Sequence, residues 1–257
     1  MSRPTLFRVC ALGAGLIFGG VLSAQASGLD DARAAIERGD LNQAAGLLAP
    51  VTQANSTDAE AFSLLSRLRL KQHKIGEAVD CAQKAADLAP TNARYFAELG
   101  LVLELQIDEV EFMQKAVVSN RVRKAYLKAI ELNPRDIPTY CALVRFYSTT
   151  PPVLGGNLTK AQEMAMRVQQ LDRFVGEIQL GSVADQNSDY DVALEHFETA
   201  AKMNKKSAVA LSSCGEMLAK LGEKKKAKSR FEAALKIDPN LEAARKGLDD
   251  LNAPSPE

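Results

Sequence analysis

The chain has 257 residues, and its 32 Lys plus Arg balance 32 Asp plus Glu, so no global charge argues for nucleic acid or an anionic membrane surface as a partner. Absent tryptophan, few aromatics and abundant alanine suit stacked helices, each burying a face on its neighbour, better than one large core.

At the N-terminus Arg3 and Arg8 precede an apolar run, Val9 to Leu22, that ends in Ser23-Ala24-Gln25-Ala26. This reads as a signal peptide over residues 1–26 with cleavage after Ala26; retention as an uncleaved anchor is the alternative. The run falls short of the roughly 20 apolar residues that a spanning helix needs, and no later segment is apolar for as long, so no membrane span is expected in the mature chain. Export of this kind places the protein across the inner membrane, in the periplasm. The glycines at 13, 15, 19 and 20 lack the strand and acidic partner of a dinucleotide loop. Removing the leader takes away Cys10 and leaves Cys81, Cys141 and Cys214, an odd set at wide spacings that is no disulfide framework. Each reads as a small apolar packing residue, with a reactive thiol as the alternative.

Ser27 is placed to cap a first mature helix, Leu29 to Arg38, that ends at Gly39. Asn42 to Gln53 returns with Ala44, Leu48 and Val51 inward. The next unit, Ala59 to Asn92, carries Phe62, Leu65, Ser66 and Arg69 on one helix and Ala78, Ala82 and Ala85 on the next, closed by Pro90. His73 stands in its turn and reads as a solvated or capping group. A third unit begins at Ala93 with Phe96, Leu99, Gly100 and Leu103, but its closing Pro134 arrives late. The absence of Gly and Pro from Leu101 to Asn133 predicts two lengthened helices reversing near Gln106 to Glu111, or else a single long helix. Glu104, Asp108, Glu109 and Glu111 make this extension acidic, either a partner surface or a solvated helix end.

The fourth unit opens at Ile137 with Tyr140, Leu143, Val144 and Tyr147. A long turn, Ser148 to Asn157, holds Pro151-Pro152 and Gly155-Gly156, then Asn157 or Thr159 caps a helix with Ala161, Ala165 and Val168 inward. The turn lacks the Gly-Lys-Ser/Thr spelling of a phosphate loop. Phe174 to Ser207 repeats the pattern with Leu180, Gly181 and Ala184, then Ala193, Phe197 and Ala200. Ala208 to Leu241 is the most regular unit: Leu211, Cys214, Gly215 and Leu218, a turn at Gly222, then Ala227, Phe231, Ala234 and Pro239. A last amphipathic helix with Ala244, Leu248 and Leu251 closes the stack over 241–252, and 253–257 is a frayed tail.

The residues from Leu211 to Pro239 match the pattern of the tetratricopeptide repeat, with its period of about 34 residues, and this chain is identified as a member of that family. The resemblance implies an all-α fold: a right-handed superhelical solenoid of about six helix hairpins, near 27–58, 59–92, 93–136, 137–173, 174–207 and 208–241, plus the capping helix. Over Ala93 to Asp172 the long third unit and the Pro and Gly-Gly turn resemble a secreted bacterial subgroup, which implies no particular activity. The family also implies a non-catalytic scaffold that grips a protein partner in a concave groove lined by the first helices. Its groove positions include Glu60, Arg67, Lys71, Arg94, Glu98, Glu104, Arg145, Gln179, Asp185, Glu216 and Lys220. The family members that hold chaperone C-terminal carboxylates carry lysine and asparagine at two of these positions. Ser63/Arg67, Ala97/Leu101, Cys141/Arg145, Ile178/Ser182 and Ser212/Glu216 all depart, which argues against such a receptor.

No catalytic constellation is legible. His73 and His196 are the only histidines, and there is no His-Glu-x-x-His, no Cys-x-x-Cys and no Gly-x-Ser-x-Gly, so neither an enzyme, a metal site nor a cofactor is expected. His196, on a charged helix, reads as a surface residue. The Asn55 and Asn157 sequons matter only in a eukaryotic secretory route. Lys224, Lys225, Lys226, Lys228 and Arg230 form a basic cluster, read first as a solvated face. The principal expectation is a protein-binding scaffold of the cell envelope; the alternative is an accessory subunit that binds glycan or a small ligand through the 148–157 loop with Pro151, Pro152, Gly155 and Gly156.

Overall fold

The computed structural model describes residues 17–53 and 56–252, and it divides into two compact units, Met1–Ala89 and Pro90–Glu257. Among the described residues the regular structure is entirely helical. The expected tail at 253–257, the sequon residue Asn55 and most of the expected leader lie outside them.

In the first unit α1 (Ile17–Arg38) pairs with α2 (Leu41–Leu48), and α3 (Ala59–Lys71) with α4 (Ile75–Leu88). In the full chain α1 runs on through Ser27, the residue expected to cap the first helix after cleavage. Ala24, Gln25 and Ala26 are good helix formers, and Gly28 alone does not break the run. The first turn falls at Gly39, whose φ of +81° is the left-handed geometry that ends a helix. Ala32, Ala35, Ile36, Ala44, Leu48, Ala61, Leu64 and Leu68 form one buried core across α1, α2 and α3. The turn between α3 and α4 is left-handed too, with φ of +57° at His73, which is exposed as its turn position implies.

The second unit holds four hairpins and a closing helix. They are α5 (Ala93–Glu109) with α6 (Phe112–Leu132), α7 (Ile137–Thr149) with α8 (Leu158–Leu171), α9 (Arg173–Gln186) with α10 (Tyr190–Met203), and α11 (Ala208–Lys220) with α12 (Lys224–Ile237), followed by α13 (Glu242–Asn252). The third hairpin is lengthened and reverses at Val110-Glu111, inside the expected window; a single long helix is ruled out. Its helices run 17 and 21 residues, against 13 and 14 for α11 and α12.

Polar side chains mark where first helices begin. Asp58, Asn92, Asp172 and Ser207 each accept from a backbone amide two or three residues on, satisfying a donor that the helix leaves orphaned. Asn157 does the same for α8, accepting from Lys160 N at 2.9 Å, so Asn157 and not Thr159 is its cap.

Within three hairpins a first-helix glycine lets an aromatic ring from the second helix touch backbone. A Cβ on Gly215 would stand 2.7 Å from the Phe231 ring, one on Gly181 2.7 Å from Phe197, and one on Gly100 2.5 Å from Tyr126. The closing helix repeats the device: a Cβ on Gly247 would be 2.4 Å from Phe231. Phe231 is thereby clamped from two sides and is 1 % exposed, with Leu241, Leu248 and Leu251 packed about the same cluster.

Candidate functional site

The first helices α7, α9 and α11 of the second unit border a cavity of about 360 Å³. Its wall is polar: Cys141, Arg145, Ser148 and Thr149 come from α7, Gln179, Ser182, Asp185 and Gln186 from α9, and Ser213 and Glu216 from α11, with Val144, Phe197 and Met217 in the wall as well. Helical spacing puts these side chains there. Residues 141, 145, 148 and 149 recur at the three- and four-residue steps that keep one helix face, as do 179, 182, 185 and 186.

Charges at the two ends of this cavity are fixed differently. At the α7 end, Arg145 reaches back to α5, donating from Nη2 to Glu104 Oε2 at 2.8 Å and from Nε to Oε1 at 3.3 Å. The Tyr126 hydroxyl also donates to Glu104 Oε2, at 2.6 Å. Burial and then the neighbouring Glu104 charge push the Tyr126 phenol well above its ordinary range, so it stays a donor; the Glu104 hydrogen bond raises the Arg145 guanidinium further. This bidentate pair and its phenol tie α5, α6 and α7 together.

At the other end Lys220 of α11 pairs with Asp185 of α9, and its Nζ lies 5.1 Å from the centre of the Tyr190 ring. Glu216 lies one turn before Lys220 yet forms no hydrogen bond or ion pair with any described residue. Burial raises its carboxyl above the usual range; Lys220 lowers it and Asp185 adds to the rise.

The expected groove residues therefore separate into groups. Arg145, Gln179, Asp185 and Glu216 converge on one cavity, with Glu104 and Lys220 as the ion-pair partners of two of them. Arg94 and Glu98 pair with each other along α5 at 3.0 Å. Glu60, Arg67 and Lys71 belong to the first unit, where Glu60 pairs with Arg33. The uncharged wall residues Ser148, Thr149, Gln186 and Ser213 were not among the expected groove set, and Ser182 entered it only as a departure from the chaperone-tail pattern. The same helical frame holds them.

The 148–157 loop is self-satisfied. The amides of Leu154, Gly155, Gly156 and Asn157 donate to the carbonyls of Pro151, Pro152, Pro151 and Tyr147 at 2.7 to 3.1 Å. Gly155 has φ of +102°, and a Cβ on Gly156 would fall 1.6 Å from the Thr150 carbonyl oxygen. Pro151, Pro152, Gly155 and Gly156 are thus explained by the turn itself, with four amides already committed.

His196 corrects the sequence reading. It is partly buried, and its Nδ1 lies 2.8 Å from Oε2 of Glu177, a carboxylate 5 % exposed in α9. Gln169 Nε2 donates to the other oxygen at 3.0 Å, and Arg173 stands 3.9 Å away. Glu177 occupies the helix position where α7 and α11 carry Tyr140 and Leu211, so a buried carboxylate there needs partners, and His196 is one. Of the three thiols Cys214 is fully buried, as a packing residue should be, and pushed up to about 11; Cys81 and Cys141 are part-exposed, Cys141 in the cavity wall, and partial burial raises both. On α12, Lys224, Lys225, Lys226 and Lys228 are exposed, while Arg230 reaches Glu198 at 3.4 Å. Of the acidic extension, Asp108, Glu109 and Glu111 are exposed. Among the described residues no helix is long and apolar enough to cross a membrane, and no cluster has the make-up of a metal site.

Antiparallel helix pairs in register, with small residues facing rings and polar first-helix faces, define a helical-hairpin repeat protein. The family profile described as tetratricopeptide repeat matches residues 29–93 and 178–242, just over half of the sequence. The chain belongs to the tetratricopeptide repeat family. Among solved structures it is similar to pilF of Pseudomonas aeruginosa, at 15 % identity and a TM-score of 0.63, covering 90 % of this chain and 99 % of that one. It is similar to a MamA protein at 20 % identity and a TM-score of 0.56, over 72 % of this chain and 93 % of that one. A chain in the APC/C hetero-tetramer Cut9-Hcn1 matches at 18 % identity and a TM-score of 0.59, over 86 % of this chain; the match spans 41 % of that longer chain. At these identities the likeness is one of fold. No curated protein matches the sequence.

Proposed function

We propose that this chain is a non-catalytic interaction scaffold of the bacterial cell envelope that binds an extended segment of a partner protein in the α7, α9 and α11 cavity. The observation that carries this reading is the convergence of Arg145, Gln179, Asp185 and Glu216, with uncharged hydrogen-bonding side chains between them, on one open face of first helices. Gln179, Gln186 and Ser213 form no side-chain bonds with the described residues, so they remain available to the backbone of a bound strand. Family membership supports a binding role over catalysis, and the basic-apolar-small pattern of residues 1–26 supports export. The 148–157 loop, with the amides of Leu154, Gly155, Gly156 and Asn157 spent internally, gives the glycan alternative no comparable support.

The test is selection of displayed peptides on the purified protein, with Ser182→Arg as the groove-filled control and Lys225→Glu as an outer-face control. Peptides that bind wild type and Lys225→Glu but lose at least tenfold on Ser182→Arg support the reading. Peptides indifferent to Ser182→Arg place binding elsewhere and overturn it.

A further inference from the structure

The cavity wall has an uneven charge balance. Its one guanidinium, Arg145, is held two-fold by Glu104, so that end presents a neutral pair. At the α9 and α11 end there are two carboxylates, Asp185 and Glu216, and one ammonium, Lys220. Helical spacing offers Glu216 and Lys220 as a pair four residues apart, the common arrangement on a helix surface. The structure breaks that pairing. Lys220 instead crosses to Asp185, and the Tyr190 ring beneath its Nζ adds a second reason to stay.

Glu216 is left as a half-buried carboxylate in a cavity wall, partly desolvated and with no hydrogen bond or ion pair to a described residue. Withdrawing a carboxylate from water without a partner is unfavourable, and a cationic side chain arriving beside it relieves that cost. The neighbouring Asp185 increases the attraction, because Lys220 compensates only one of the two negative charges. An incoming carboxylate meets the opposite situation: no cation in the wall is free of an acidic partner.

We infer that the partner segment is a basic one, which places a lysine or arginine side chain against Glu216 while its backbone is held by Gln179 and Gln186. This rests on the groove reading above and adds the chemistry of the occupant. It also separates this groove from one built to hold an acidic tail, which needs an uncommitted cation.

The experiment uses the peptides recovered by selection on the wild-type protein. Those lost on Ser182→Arg are expected to share one Lys or Arg position, and replacing it with norleucine weakens binding about tenfold, the scale of one charge-assisted hydrogen bond. Glu216→Gln removes most of that difference, leaves the norleucine peptide unaffected, and makes the remaining affinity less sensitive to salt. Glu216→Lys moves the selection towards acidic peptides. The inference is overturned if groove-dependent peptides carry no shared cation, or if Glu216→Gln leaves the basic peptide's affinity unchanged; the groove reading then still stands. If Ser182→Arg abolishes nothing, the groove reading fails and takes the inference with it.

Discussion

The hairpins α11–α12 and α7–α8 follow one register with opposite choices of size. Where α11 carries Gly215 and α12 carries Phe231, α7 carries Val144 and α8 carries Ala165, and all four are buried. The α3–α4 hairpin chooses a third way: Ser66 and Ala82 hold those positions, and the Ser66 hydroxyl donates to the Ala78 carbonyl at 2.8 Å. In the first two hairpins volume taken from one helix is returned by the other, whereas α3–α4 sets two small residues together and ties the helices by a hydrogen bond instead.

The largest effect comes from emptying one side. Phe231→Ala removes a ring packed on Gly215 and Gly247, and should cost about 3 to 5 kcal/mol in chemical denaturation. Next is overfilling: Gly215→Val drives a side chain into that ring and should cost about 1 to 3 kcal/mol, with Ala227→Phe, at a fully buried site, in the same range. The comparison is sharpest in the double variant Gly215→Val with Phe231→Ala, which copies the α7–α8 choice. It should be more stable than the two single losses added together, with a coupling of about 1 kcal/mol or more. Additive losses would show that the two hairpins do not share a packing rule.

Turn geometry should give smaller effects. Gly222 at φ of +81° and His73 at +57° sit at matching turns, one with the residue that favours this conformation and one without. Gly222→Ala should destabilise by about 1 kcal/mol, whereas His73→Gly should be neutral or mildly stabilising.

The smallest effect is electrostatic and follows from Glu216. Its carboxyl is raised in the folded chain by burial, so the folded state binds its proton more readily than the unfolded state does. Relative to Glu216→Gln, wild type should therefore lose stability as pH rises through the carboxylate range and regain it as pH falls below. Parallel stability curves for the two proteins from pH 3 to 7 would contradict this sign.

Local rules made most of the fold legible. Gly39, Gly222 and Asn157 declare helix ends because a left-handed turn or a side-chain cap acts within a few residues. The lengthened α5–α6 hairpin was legible from late Pro134 and from the absence of Gly and Pro between its helices, which left a single long helix as the alternative. What was not legible depends on partners far apart in sequence. Glu177 is one of many carboxylates until α10 brings His196 to it, 19 residues on. Lys220 looks like the partner of Glu216 until α9 presents Asp185, and that exchange, invisible in either helix alone, sets the charge of the cavity. The continuation of α1 through Ser27 shows the converse: in the full chain, where the preceding residues already favour a helix, an isolated cap residue does not start one.

The central claim is that the α7, α9 and α11 face is where this protein meets its partner. The most direct test is a photo-reactive residue placed at Gln179, inside the cavity, and separately at exposed Lys225 on α12, each irradiated in the envelope of cells making the full chain. One discrete protein adduct is expected from Gln179, lost when Ser182→Arg fills the groove, and no such adduct from Lys225. The same adduct from Lys225, or one from Gln179 that survives Ser182→Arg, would contradict that claim.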